Sequence, residues 1–390
     1  MAAMKTSELR ILFVVDAIQG RNGVGTYFQD LVANLEQEVE RAELVAPSMD
    51  DPKPYQGLAL PIPGDPTQKL YIPKLRVLTR IFLEVNPHVV VLPGPGIYSL
   101  AGFWLAGKLG IPVCVTYQTD YRQLARLYFK GHVGRTVGRM MEWLNRAMFR
   151  RAQSVVTVSN HMLELAAASG VRGARLVGTP IARNFLDRPP VPPGHQLRSV
   201  LYVGRLAAEK NIESFIELAR ERPDLNFHVA GDGPLRRTVE NAGHELGNLH
   251  YLGWLPRAGI IDLLDRADAL ILPSSIEAFG TVALEAMARQ RLVLTSPHCG
   301  INQWPDLGQA LFAVQQGERL ADTLRRVEAL PVAERQAIAA QARHAAISVN
   351  GGAVTQWLDV LVQTSRNRRR LSNRRPSGTV ALLRRLDGPQ

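Results

Sequence analysis

Short runs of aliphatic and β-branched residues alternate with stretches of helical periodicity along most of the chain. The runs predict strands at 11–16 (ILFVVD), 42–47, 88–94, 112–117, 154–159 and 174–178. A second series follows at 198–204, 226–231, 250–253, 269–274, 292–296 and 311–314. Most runs are apolar throughout, the pattern of strands buried on both faces in parallel sheets covered by helices. The two series meet at DRPPVPPGHQ (187–196), whose prolines can continue neither a helix nor a central strand. The expected fold class is α/β: two doubly wound, Rossmann-like domains, 1–186 and 197–352, joined by the linker 187–196 and facing across a cleft. Ligands of such sheets bind at the carboxyl ends of the strands, so the cleft is the default site.

Four segments of the second series carry chemistry. In YVGRLAAEKNIESFIELA (202–219) a strand ends at Gly204, Arg205 and Lys210 follow, and a helix starts near Ile212. Two cations beside a helix N-terminus make a diphosphate cradle, or else a pair of solvated loop residues. The turn in VAGDGPLRRTVE (229–240) is structural and brings backbone close to a ligand. In LGWLP (252–256), Trp254 and Leu255 either flank a nucleobase or simply pack. In SSIEAFGTVALEAMARQ (274–290), Glu277 precedes a helix whose first N–H groups, around Phe279, Gly280 and Thr281, suit an anionic or hydroxyl-rich ligand. Glu277 is equally the acid that a helix dipole favours. Glu285 stands in an otherwise apolar run, where an unpartnered carboxylate costs on the order of several kcal/mol.

Read together and in this order, GRLAAEKN, GDGP, LGWLP and the glutamate pair of EAFGTVALE resemble the nucleotide-binding half of a family 4 retaining glycosyltransferase of the GT-B fold. The resemblance covers residues 200–296. It implies that Arg205 and Lys210 bind the donor diphosphate, that Glu277 and the backbone at Phe279, Gly280 and Thr281 hold sugar hydroxyls, and that Glu285 accepts from the ribose. It further implies a UDP- or GDP-sugar donor, no cofactor, no metal, and a C-terminal helix, 353–365, packing back on the first domain. The first domain then binds the acceptor. There, DAIQGRNGVGTYFQDL (16–31) joins a strand to a helix through Gly20, Gly23 and Gly25, and a loop of this kind can approach a phosphate closely. Its Asp16…Asn22–Gly23–Val24 spacing resembles the acceptor loop of the branch that glycosylates lipid and polyprenyl-type acceptors. VTYQTDYRQLARLY (115–128) resembles the family's segment with a His before Thr-Asp, but Gln118 takes the His position. Gln exchanges hydrogen bonds and cannot act as acid or base. Asp120 and Asp16 are the nearby carboxylates.

The resemblance implies same-face attack by the acceptor hydroxyl, with the departing phosphate oxygen as base. Catalysis then rests on positioning and on charge stabilisation by Arg205 and Lys210. A lipid-linked or cell-envelope glycan is the expected acceptor. An inactive nucleotide-binding homologue is the alternative, followed by a sugar-nucleotide epimerase or a glucan synthase.

Charge adds a partner class. The net charge is +11, and residues 366–390 hold eight arginines against one aspartate. No aromatic platforms accompany those arginines, so nucleic acid is not an expected partner. In KGHVGRTVGRMMEWLNRAMFRR (130–151), arginines recur among Val133, Val137, Met140, Trp143 and Leu144. Such a helix either lies in an anionic membrane interface or packs on the core with a solvated basic face. The arginine-rich tail adds to the first reading, or is a disordered end. The 390 residues suffice for two or three domains. No signal peptide or unbroken apolar span of about 20 residues is visible, and Cys114 and Cys299 have no metal-ligand spacing. A reduced, cytoplasmic protein is expected, peripheral on the inner face of the membrane.

Overall fold

The computed structural model describes residues 5–62, 65–129 and 131–366. The arginine-rich tail from 367 onward lies outside them. The first half runs β1 (Arg10–Val14), α1 (Gly23–Leu35), β2 (Arg41–Val45), β3 (Gln56–Ile62), β4 (Asp65–Pro73), α2 (Leu75–Val85), β5 (Val89–Leu92), α3 (Ile97–Leu109), β6 (Val113–Tyr117), α4 (Tyr121–Tyr128), α5 (Gly131–Phe149), β7 (Ser154–Thr157), α6 (Asn160–Ala168), β8 (Arg175–Leu176) and α7 (Asn184–Asp187). The second runs β9 (Ser199–Val203), α8 (Ile212–Glu221), β10 (Asn226–Ala230), α9 (Arg236–Glu245), β11 (Leu249–Gly253), α10 (Arg257–Arg266), β12 (Ala269–Leu272), α11 (Thr281–Ala288), β13 (Leu292–Thr295), α12 (Pro305–Gly308), β14 (Phe312–Ala313), α13 (Leu320–Glu328) and α14 (Val332–Ser365).

Two six-stranded sheets form, in the orders β2-β1-β5-β6-β7-β8 and β11-β10-β9-β12-β13-β14. Every pairing within them is parallel. These are two Rossmann-like units, and each of the apolar runs read from the sequence overlaps one of their strands. The strand order reverses between β1 and β5 and again between β9 and β12. Those reversals are where helices diverge to opposite faces and a crevice opens for ligand.

Three features depart from the periodicity. The antiparallel hairpin β3–β4 was not foreseen: its apolar Leu58, Leu60, Leu70 and Ile72 face outward, so no core-facing pattern marks it. The helix expected over 353–365 is the second part of α14, which begins at Val332 and runs on through Gly351 and Gly352. That second part lies on the first sheet. Trp357 is fully buried and donates to the Tyr27 hydroxyl at 2.9 Å, Asn350 accepts from the Ile181 amide at 2.8 Å, and Gln356 from the Gly178 amide at 3.1 Å. The proline-rich segment is irregular from Arg188 to Arg198. It is fastened by the fully buried Arg289, which donates to the carbonyls of Arg188 at 2.6 Å and Pro189 at 2.8 Å while paired with Asp265 at 2.8 Å. Among the described residues no helix is long and apolar enough to cross a membrane.

Candidate functional site

A cleft of about 770 Å³ lies between the two sheets, lined by both switch points. On the second sheet, β9 ends at Val203 and its loop carries Gly204, Arg205 and Lys210; β12 ends at Leu272 and its loop carries Glu277 to Gly280. The reversal between β9 and β12 puts these loops side by side, and the Lys210 ammonium bonds Glu277. Burial disfavours the charged form of Lys210, but Glu277 more than offsets this and holds its pKa above the ordinary value. The Ser274 hydroxyl reaches the same Glu277 oxygen at 3.4 Å. Gly280 takes the left-handed conformation with φ 106°, α11 starts with no side-chain cap on its first N–H groups, and Gly280, Thr281 and Val282 line the cleft. Phe279 packs edge-on to Trp304 and is buried.

Arg205 is surrounded. Its Nη1 donates to Glu209 at 2.8 Å and to the Tyr128 hydroxyl at 2.9 Å, and its Nη2 to Asp65. Glu209 lies on its own loop, whereas Tyr128 and Asp65 come from the first half. The Arg205 Nε is buried without a partner among the described residues. The GDGP turn is structural in a specific way: a Cβ at Gly231 would fall 1.8 Å from the Gly204 carbonyl oxygen, so glycine lets the two loops touch.

Glu285 lines the cleft at 4% exposure, and its partner is Arg257, whose Nη1 donates to Oε1 at 2.5 Å. The other fork of Arg257 donates to Asp30 on α1, also at 2.5 Å. Burial pushes both carboxyls up against the pull of Arg257, Asp30 to about 7. Trp254 is half-exposed, stacks under the Arg21 guanidinium at 4.3 Å and donates to the Gly20 carbonyl at 3.2 Å, bridging to the loop after β1. Leu255 lines the cleft beside it.

On the first wall, Gln118 is buried and its Nε2 has no partner among the described residues. Asp120 caps α4, accepting from the amides of Arg122 at 3.0 Å and Gln123 at 3.1 Å. Asp16 reaches the α3 N-terminus from the loop after β1, accepting from the amides of Tyr98 at 2.6 Å and Ser99 at 3.1 Å and from the Ser99 hydroxyl at 2.5 Å. Both carboxylates on this wall thus serve helix N-termini. Gly23 is exposed on the cleft wall. Gly25 is the one predicted site residue off that wall: a Cβ there would lie 2.3 Å from the Ile18 carbonyl oxygen, so this glycine lets the start of α1 close against the loop that follows β1. Sequence reasoning missed Arg257, Asp30, Asp65, Tyr128 and Glu209. Arg257 directly follows LGWLP, and Glu209, Asp30 and Tyr128 sit inside GRLAAEKN, DAIQGRNGVGTYFQDL and VTYQTDYRQLARLY, so these four were within reach; nothing local marks Asp65.

Comparison with known proteins identifies the family. A glycosyl transferase 4-like domain matches residues 22–182, and the glycosyl transferases group 1 family matches residues 186–345. The 2-deoxystreptamine N-acetyl-D-glucosaminyltransferase of Streptomyces fradiae is 28% identical over 210 residues, 48% of this chain and 49% of that protein. The matched region thus spans about half of that curated relative's length. Among solved structures, sucrose-phosphate synthase from Thermosynechococcus elongatus superposes with TM-score 0.67 at 18% identity, covering 90% of this chain and 98% of its own. HepE of Anabaena, solved with UDP-glucose, gives TM-score 0.64 at 16% identity over 90% of this chain and 100% of its own. Such likenesses establish the shared fold, and with both family matches in register on the two sheets the chain belongs to the family 4-like glycosyltransferases of the GT-B fold.

Proposed function

We propose that the protein transfers a hexosyl group, with retention, from a UDP- or GDP-sugar to a lipid-linked or cell-envelope glycan acceptor. The observation that carries the reading is the meeting of Arg205, Lys210 and Glu277 at the β9/β12 switch point, on the wall of an interdomain cleft. The solved HepE complex with UDP-glucose supports the donor class. In this mechanism Arg205 and Lys210 take up the negative charge that grows on the departing diphosphate, the place where preorganised cations act most strongly. Glu277 and the open α11 N-terminus orient the sugar, and no metal is invoked. With Asp16 and Asp120 both engaged at helix N-termini, neither is offered as a covalent nucleophile; same-face attack, with a phosphate oxygen taking the acceptor proton, needs none. Gln118 then orients rather than titrates.

The acceptor reading draws on the first half. Val133, Met140 and Trp143 on α5 are 58%, 50% and 62% exposed beside the exposed Arg135 and Arg139. An outward apolar stripe flanked by arginines suits an anionic membrane surface that presents a lipid acceptor. The cytoplasmic, peripheral location follows from that reading. A soluble aminocyclitol acceptor is the second reading, favoured by the name of the Streptomyces relative.

The test is nucleotide release from UDP-, GDP- and ADP-sugars, with anionic vesicles carrying extracted lipid acceptors in one arm and soluble aminocyclitols in the other. Turnover is expected with a UDP- or GDP-sugar in the vesicle arm, lost by at least about a hundredfold in Lys210→Ala at near-wild-type melting temperature. Turnover confined to the soluble arm rejects the lipid acceptor. No release from any donor in either arm sinks the enzyme.

A further inference from the structure

Arg257 sits where local physics does not favour it. It opens α10, in the first turn, where the helix dipole repels a cation. A residue that breaks a local rule is commonly held by function, and three groups from three parts of the chain hold this one. Glu285 on α11 takes Nη1, Asp30 on α1 takes Nη2, and the guanidinium lies 4.7 Å from the ring centroid of Phe185 on α7. The Ala182 amide lies close enough to Asp30 to favour its charged form. The Glu285 bond uses Oε1 alone; Oε2 has no partner among the described residues, and the residue lines the cleft.

Resting on the nucleotide-sugar reading above, we propose that Arg257 is a positioning residue of the donor site: it clamps Oε1 of Glu285, leaving Oε2 for the ribose hydroxyls, and ties that carboxylate to the buried Asp30 on α1 of the first half, so that ribose recognition depends on cleft closure. An arginine is suited to this, since its rigid fork can serve two carboxylates at fixed separation where a lysine cannot. Without Arg257, Glu285 would lose its counter-ion in a buried position, with neither orientation nor charge secured. The link to Asp30 makes the ribose contact a reporter of whether the two halves are together. No other charged group is bonded to either carboxylate among the described residues.

The experiment is calorimetric titration of the full chain with UDP and GDP and with their 2′-deoxy counterparts, for wild type, R257M, R257K and D30N. Wild type should prefer the ribose form of whichever diphosphate it binds by about tenfold, the scale of a hydrogen bond to a charged group. R257M should bring that preference below about threefold, R257K should restore part of it, and D30N should lower it in the same direction. A preference that survives R257M at the wild-type ratio overturns the inference. If R257M does not fold, D30N decides: an unchanged ratio there removes the link across the cleft. Absence of any diphosphate binding by wild type is a different failure, that of the nucleotide-sugar reading itself.

Discussion

Arg257 brings one positive charge to two buried carboxylates, and Asp30 bears the consequence. Desolvation, helped by the neighbouring Glu285, outweighs the pull of Arg257 and raises Asp30 from 3.8 to about 7. A carboxyl raised on folding binds more protons in the native than in the unfolded chain between those two values. Its contribution to stability is therefore fully present below about pH 4 and is lost as pH rises through about 7. At about 1.4 kcal/mol for each pH unit across the window, the loss is on the order of a few kcal/mol. Asp30→Asn removes the titration. Denaturant unfolding of both proteins between pH 5 and 8 should show wild type losing stability relative to the variant as pH rises; parallel curves would mean that Asp30 stays ionised throughout. None of this was legible in the sequence. Glu285 visibly needed a partner, but Arg257 lies 28 residues from it and Asp30 lies 227 from Arg257, and only the fold joins them.

At the scale of elements, legibility followed burial. Strands such as Val89–Leu92 and Leu292–Thr295 are buried on both faces, so their apolar runs could be read directly. The hairpin β3–β4 could not be, because it turns Leu58, Leu60, Leu70 and Ile72 to the outside and its proline-studded strands pair only with each other. Yet it carries Asp65, which bonds the Arg205 guanidinium from across the cleft. With Glu209 also on that guanidinium, a single cation already faces two carboxylates, and an incoming diphosphate must displace one of them. The hairpin carboxylate is the movable one, since Glu209 lies on the same loop as Arg205. Asp65→Asn should therefore tighten nucleoside diphosphate binding by about fivefold, the equivalent of about 1 kcal/mol for a partly buried ion pair. Weaker or unchanged binding in a titration would show that Asp65 positions Arg205 instead of competing for it.

For the whole molecule, the donor and acceptor walls of the proposed function belong to different sheets, and α14 couples them. Its start packs against α11 and α12, Arg343 donates to the Leu186 carbonyl at 2.7 Å near the crossover, and its end buries Trp357 on the first sheet. The sequence showed a C-terminal helix but not its reach, because Gly351 and Gly352 interrupt the helical pattern without interrupting the helix. Trp357 also supports the acceptor wall: it donates to the Tyr27 hydroxyl, and Tyr27 stands beside Gln118. Trp357→Ala removes a fully buried indole and leaves that hydroxyl with one partner fewer, at a cost of about 3–5 kcal/mol. Arg205, Lys210 and Glu277 all stand on loops of the second sheet, whereas Trp357 is buried on the first, so diphosphate affinity should stay within about twofold of wild type while turnover falls. Parallel titration, turnover and denaturant unfolding test the separation. If affinity falls along with stability, α14 is holding the donor site as well, and the two walls do not behave as separate halves.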